Sequence, residues 1–195
     1  VSDDRSRLLR RLCAGIGDLP HALIGGQALL VHGLARQTDD IDVLVADRSV
    51  LDAARWPPGD PPVVVRRATE PGDPLDGLIV LAPATDDDGA PLPGSPTAAE
   101  AVVLDRIWAR EMLTRARSTA SLGGVSLPVV DLPDLAILKA YAGGPVDRAD
   151  VAAMSERPDW PEVRRAAEQR LATGPATGRR TWERWMRLLD PGDGP

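Results

Sequence analysis

Two aspartates one residue apart, Asp40 and Asp42, are the acids of this chain whose surroundings point to chemistry. In Asp40-Ile41-Asp42-Val43-Leu44-Val45, the apolar Ile41, Val43 and Val45 alternate with Asp40, Asp42 and Leu44. A period of two belongs to a β-strand, whose residues i and i+2 share a face. The spacing therefore predicts two carboxylates side by side on one face of a sheet. Such neighbours repel and raise each other's pKa unless a cation lies between them. With 2 His and 1 Cys the chain is poorly supplied for zinc. Oxygen-only ligands suit Mg²⁺ or Mn²⁺, and hard ions with few protein ligands commonly work on phosphates.

The elements ahead of these acids have a matching logic. Ala22-Leu23-Ile24 predicts a short buried strand, Gly25-Gly26 breaks it, and Gln27 to Leu34 reads as a helix. A strand, a glycine turn and a helix start present free N–H groups to an anion, and glycine allows close approach. One β–α–β unit would then hold a phosphate seat and its metal. Arg36 lies between helix and acids, where it could reach phosphate, solvent or a carboxylate.

The order Gly25-Gly26-x-Ala28, His32-Gly33, Arg36, Thr38 and Asp40-Ile41-Asp42 resembles the nucleotidyltransferase superfamily that includes DNA polymerase β. It looks closest to small bacterial members: AbiEii-type toxins, MNT-type proteins, and lincosamide and aminoglycoside nucleotidyltransferases. The resemblance covers residues 20 to 155. It implies that Gly25 and Gly26 seat the triphosphate and that Asp40 and Asp42 bind metal. One departure is visible: many members carry Gly-Ser in the turn, and Gln27 follows the glycine pair here. A third carboxylate is implied on a later strand. Glu100, opening Ala99 to Leu104 ahead of a helix carrying Trp108, matches that place, with Asp76 and Asp73 as rivals. Glu in place of the usual Asp is a second departure. A further hallmark resembles Lys139 in an apolar helix, a Gly143-Gly144 turn, then Asp147 and Asp150. Lys139 would neutralise phosphate charge, and Asp147 or Asp150 would orient it.

The fold implied is α+β, a polymerase β-like mixed sheet with helices packed on it and a C-terminal helical part. The expected division is a nucleotidyltransferase domain over 1–155, a helical extension over 156–190 and a disordered tail over 191–195. The chemistry implied is Mg²⁺- or Mn²⁺-dependent transfer of a nucleoside monophosphate from an NTP to an acceptor: RNA or tRNA, protein, or a small molecule. Three readings stay open. The chain could be the toxin of a toxin–antitoxin pair, with a cognate antitoxin as partner. It could be an antibiotic-modifying enzyme. It could be a non-catalytic nucleotide-binding or antitoxin-like partner-binding module.

Composition bounds these readings. A net charge of −6 argues against coating nucleic acid by bulk electrostatics. One cysteine, Cys13, allows no internal disulfide and fits a reducing compartment. No stretch is apolar enough to span a bilayer and no signal-peptide pattern opens the sequence, so a cytoplasmic protein is expected.

Other elements follow from pattern. A first helix capped by Ser2 or Asp3 runs to about Ala14, with Leu8, Leu9, Leu12 and Ile16 on its apolar face. Ser49 to Trp56 suits a short helix. Strands are expected at Val63–Val65, Gly77–Leu81 and Val125–Val130, and a polar loop at Asp86–Pro96. Helices are expected over Asp105–Ala120, Leu135–Ala142 capped by Asp134, a stretch from Val146, Trp160–Leu171 and Arg179–Leu189. Trp182, Trp185 and Leu189 form a helical stripe expected to pack rather than stack on bases, beside the basic Arg179, Arg180 and Arg184.

Overall fold

A computed structural model describes residues 3–38, 40–70, 72–81 and 99–189. The Ser2 cap, the Asp86–Pro96 loop and the 191–195 tail named above lie outside the described residues. By their internal contacts the residues form two units: residues up to Val31 with Ala35–Val130, and His32–Leu34 with the chain from Asp131 onward. This boundary falls upstream of the residue-155 limit drawn from the sequence.

The first unit is built on a sheet of seven strands among the described residues. These are β1 (His21–Ile24), β2 (Ile41–Val45), β3 (Val63–Arg67), β4 (Gly77–Leu81), β5 (Ala99–Val103), β6 (Ser118–Leu122) and β7 (Val125–Val129). Their order is β3-β4-β5-β2-β1-β7-β6. The β2–β5 and β1–β7 pairs are parallel and the other neighbours antiparallel, so the sheet is mixed and the class α+β, as expected. One face is dry: Ile41, Val43, Val45, Ala99, Ala101 and Val103 are buried. Burial of that alternating set pins the register, because a slip of one residue would send it to the other side.

Helix α1 (Asp3–Ile16) packs on β5 and β7, burying Leu8, Leu9, Leu12 and Ile16 as its periodicity requires. The Trp56 ring lies against α1 at Gly15, where a Cβ would come within 2.2 Å of it, and the indole N–H donates to the Val50 carbonyl at 2.8 Å. Cys13 is partly buried, and burial pushes its thiol up to about 11, so it is an inert packing residue. Helix α2 (Gly25–Val31) joins β1 towards β2, and α3 (Ile107–Arg115) follows β5.

Two sequence expectations are corrected here. Ser49–Trp56 is not one helix but two 3₁₀ turns, Arg48–Leu51 and Ala53–Arg55, because Asp52 caps the second turn and so interrupts the first. The helix expected over Asp105–Ala120 ends at Arg115, and β6 begins three residues later. The Gly123-Gly124 pair, with φ of 55° and 80°, folds β6 back on β7. A two-residue glycine loop with positive φ is the hairpin connection whose twist suits the strands.

The second unit is helical: α4 (Leu132–Ala142), α5 (Pro145–Ser155), α6 (Trp160–Leu171) and α7 (Ala176–Leu189). α4 touches the other three and is apolar nearly all round, with Leu132, Leu135, Ala136, Ile137 and Ala140 buried. Such a helix has to be enclosed. Asp131, not Asp134, caps it, accepting from the Asp134 amide at 3.1 Å. Asp134 is fully buried and meets Arg170 of α6 at 3.0 Å, while Arg170 also reaches Asp131 at 2.7 Å. Trp182 and Trp185 are buried, with Trp182 against Trp160 at 5.9 Å between centroids, so these rings are packing residues. Leu189 departs from that stripe and is exposed. No helix among the described residues is long and apolar enough to cross a membrane.

Candidate functional site

Asp42 is the second residue of β2 and Glu100 the second of β5, and the two are register partners across the parallel β2–β5 seam. Paired residues on neighbouring strands project to the same face, so the carboxyls stand side by side. Both are half-buried. Burial, then the charges of Asp42 and Asp40, push the Glu100 carboxyl up to about 7, with Arg66 of β3 pulling it down. Asp40 sits exposed one residue ahead of β2, which begins at Ile41 and not at Asp40. The acids therefore gather at one end of the seam, two from the β2 segment and one from β5.

The glycine pair is dictated by what lies on it. Gly25 directly follows Ile24, the register partner of Asp42 on the other neighbouring strand. Its φ is +65°, and a Cβ there would stand 1.9 Å from Oδ2 of Asp42. At Gly26 a Cβ would stand 2.7 Å from the Thr38 side chain. Glycine is thus required because the Asp42 carboxylate and Thr38 occupy the space of the missing side chains. Helix α2 starts at Gly25 itself and ends at Val31, earlier at both ends than the Gln27–Leu34 span expected. Gln27 is buried, and its Nε2 donates to the Thr38 carbonyl at 3.2 Å. Arg5 of α1 donates to the same oxygen at 3.1 Å. Arg36 is half-buried in the segment between α2 and β2.

The rival acids have structural partners. Asp73 accepts from the Thr69 and Glu70 amides, at 2.7 and 3.1 Å, and closes the turn before β4. Asp76 is buried, is paired with Arg48, and lies 2.8 Å from Arg106 through each oxygen. It also takes the Asp105 amide at 2.6 Å. Burial pushes Asp76 up, but those donors outweigh it and hold the carboxyl below its ordinary range. Asp76→Asn should therefore destabilise by about 2–3 kcal/mol in urea unfolding at pH 7, since a buried charge-assisted network loses its acceptor. A loss under ~0.5 kcal/mol would show that the network is not structural.

The chemistry of the remaining acids can be tested against a divalent cation. Among the described residues, no group of three or more His, Cys, Asp or Glu is arranged to hold a metal ion. The fit is to an ion shared with a ligand: oxygen-only donors, two like charges held in register, and a glycine that clears room for one of them. Mg²⁺ characteristically takes one or two carboxylates together with substrate phosphates rather than a full protein cage.

Lys139, Asp147 and Asp150 belong to the second unit and form their own cluster. Lys139 of α4 reaches Asp147 at 2.9 Å and Asp150 at 2.8 Å, both on α5. Asp147 also accepts from the Gly144 amide at 3.1 Å, tying down the start of α5, while Gly143, at φ 76°, ends α4. The lysine's charge is matched by two carboxylates, which explains its tolerance among apolar neighbours. Sequence reasoning passed over Gln27 as an anchor, Arg5, and Arg66 as the cation facing Glu100. An arginine pair closing a run of three valines, Val63–Arg67, was the available signal for Arg66.

No family model matches the chain, and no curated protein matches it. Solved structures do resemble it. JHP933 from Helicobacter pylori is 15% identical, with 96% of this chain and 82% of that chain covered, at a TM-score of 0.44. An antigenic nucleotidyltransferase-like protein from Paracoccidioides brasiliensis is 12% identical, with 96% and 90% covered, at a TM-score of 0.40.

Proposed function

We propose that the chain is a nucleotidyltransferase that moves a nucleoside monophosphate from an NTP to an acceptor, with its chemistry at the β2–β5 seam. One observation carries the proposal: Asp42 and Glu100 stand in register beside the Gly25 turn, with Asp40 close enough to raise the pKa of Glu100. Carboxyls confined in this way are unfavourable alone and favourable around a cation. Asp42 and Glu100 would hold Mg²⁺ or Mn²⁺, with Asp40 beside them. A cation bound there supplies charge neutralisation for the nucleotide phosphates and activation of an attacking oxygen. The chain's own part is to seat and to hold. The Gly25 and Gly26 amides would take phosphate oxygens. Glu100, the third carboxylate, would share the cation, whose charge would hold it ionised where burial and its acidic neighbours push it up in the ligand-free chain.

Calorimetric titration with ATP, CTP, GTP and UTP, with and without Mg²⁺, tests the reading. Wild type should bind at least one NTP in a Mg²⁺-dependent manner, and Asp42→Asn should weaken that binding by at least about a hundredfold. No binding of any NTP under any metal would overturn it. A second reading, a nucleotide-binding module without transfer, is favoured by Glu100 at the seam, one methylene longer than the Asp that the resemblance implies. It predicts Mg²⁺-dependent binding with no pyrophosphate release, whereas the first predicts release once an acceptor is supplied.

A further inference from the structure

Gln27 is the third residue of α2, directly after the glycine pair, and its side chain reaches away from its own helix. It is buried at 7% exposure, yet its amide does not serve its own helix. It reaches eleven residues along the chain to the Thr38 carbonyl, at 3.2 Å. Arg5 reaches the same carbonyl from α1 at 3.1 Å. Two donors from two helices converge on one backbone oxygen in a segment, 35–38, that has no regular secondary structure. Independently, the Thr38 side chain fills the place of a Cβ on Gly26, so the same residue is gripped at its carbonyl and at its side chain. Asp40 lies two residues further on, at the mouth of β2.

We infer that Gln27, helped by Arg5, is the positioning residue that fixes Thr38 against the glycine turn, and so limits where Asp40, two residues on, stands relative to Asp42 and Glu100. The physical reason is entropic as well as enthalpic. An irregular segment samples many backbone states, and each state moves the carboxylate at its end. Two hydrogen bonds to one carbonyl remove most of that freedom before any ligand arrives, which is what preorganisation requires. The functional half of this inference rests on the nucleotide reading above. The positioning half does not.

The test uses the full chain as wild type, Gln27→Met and Arg5→Met, Met keeping the length of Gln without its donor. Hydrogen exchange on the ligand-free protein comes first. Amides in residues 36–40 should exchange about tenfold faster in Gln27→Met, with β1 and β4 unchanged. Unchanged exchange at 36–40 in both variants would overturn the inference. Mn²⁺ with ATP, CTP, GTP or UTP is then titrated. The affinity of the divalent-dependent complex should fall about tenfold in Gln27→Met, while the ligand-free melting temperature moves by only a few degrees. A lower melting temperature with unaltered Mn²⁺–nucleotide affinity would reduce Gln27 to a structural contact. If wild type binds no nucleotide, the site reading fails and only the exchange result bears on the clamp. Should Gln27→Met fail to fold, Arg5→Met carries both measurements.

Discussion

Gly25→Ala is expected to lose metal-dependent nucleotide binding by at least about a hundredfold and to cost about 2–4 kcal/mol of stability. Two effects add. At φ +65° an alanine is strained by about 1 kcal/mol or more. Its Cβ would also stand 1.9 Å from the Asp42 Oδ2, so the carboxylate must swing away from the seam it shares with Glu100. The two effects separate in a double-mutant cycle with Asp42→Ala, which removes the carboxyl atoms lying within 2.8 Å of the added Cβ and leaves the φ strain. The coupling energy between the two substitutions should be about 1–3 kcal/mol, measured by urea unfolding. A coupling near zero would show that Gly25 is required by the backbone alone and that Asp42 does not depend on it.

The second large effect concerns Glu100 and pH. Its folded carboxyl titrates at about 7, against an ordinary 4.5, because burial and then Asp42 and Asp40 disfavour its charge. The folded state therefore binds the proton more tightly than the unfolded chain. Stability must fall as pH rises from about 4.5 through 7, and level off above that. Glu100→Gln removes the penalty. The variant should match wild type near pH 4.5 and be more stable by about 2 kcal/mol at pH 8, the half-exposed site discounting the full shift. Charges remote from the seam are common to both proteins and cancel in the difference. The variant should at the same time lose Mg²⁺-dependent nucleotide binding. A stability difference that does not change between pH 5 and pH 8 would sink the account of repulsion at the seam. A more stable, non-binding variant is the signature of a group kept for function at a cost in stability.

Much of this was open to reading before any coordinates. The two-residue period of Ile41, Val43 and Val45 placed Asp42 on a strand, and the glycine pair announced the break after β1. Those signals are local, and local steric rules decide them. What could not be read lies in pairings between distant segments. Asp76 and Glu100 were both acids beside strands. Only the meeting of Asp76 with Arg48 and Arg106, 28 and 30 residues away, removes it from candidacy. Asp134 looked like a helix cap because it sits at a helix start. Its burial against Arg170, from α6, assigns that task to Asp131 instead. The β6 strand was lost inside an expected helix because Ser118-Thr119-Ala120-Ser121 has no apolar alternation, being largely exposed. The glycines at 123 and 124 carried the hairpin signal that alternation lacked.

The parallel pairing of β2 with β5 has a consequence for the order in which the molecule comes apart. The two strands are neighbours in the sheet, but β3 and β4 lie between them along the chain. Parallel contacts between distant segments close late in folding, because the loop entropy between them must be overcome first. The acid pair therefore exists only in the finished sheet, and separating β2 from β5 releases its repulsion at once. A divalent ion bridging Asp42 and Glu100 would act as a rivet across that seam. It would lengthen the lifetime of the native state by slowing unfolding, and leave the folding rate nearly unchanged.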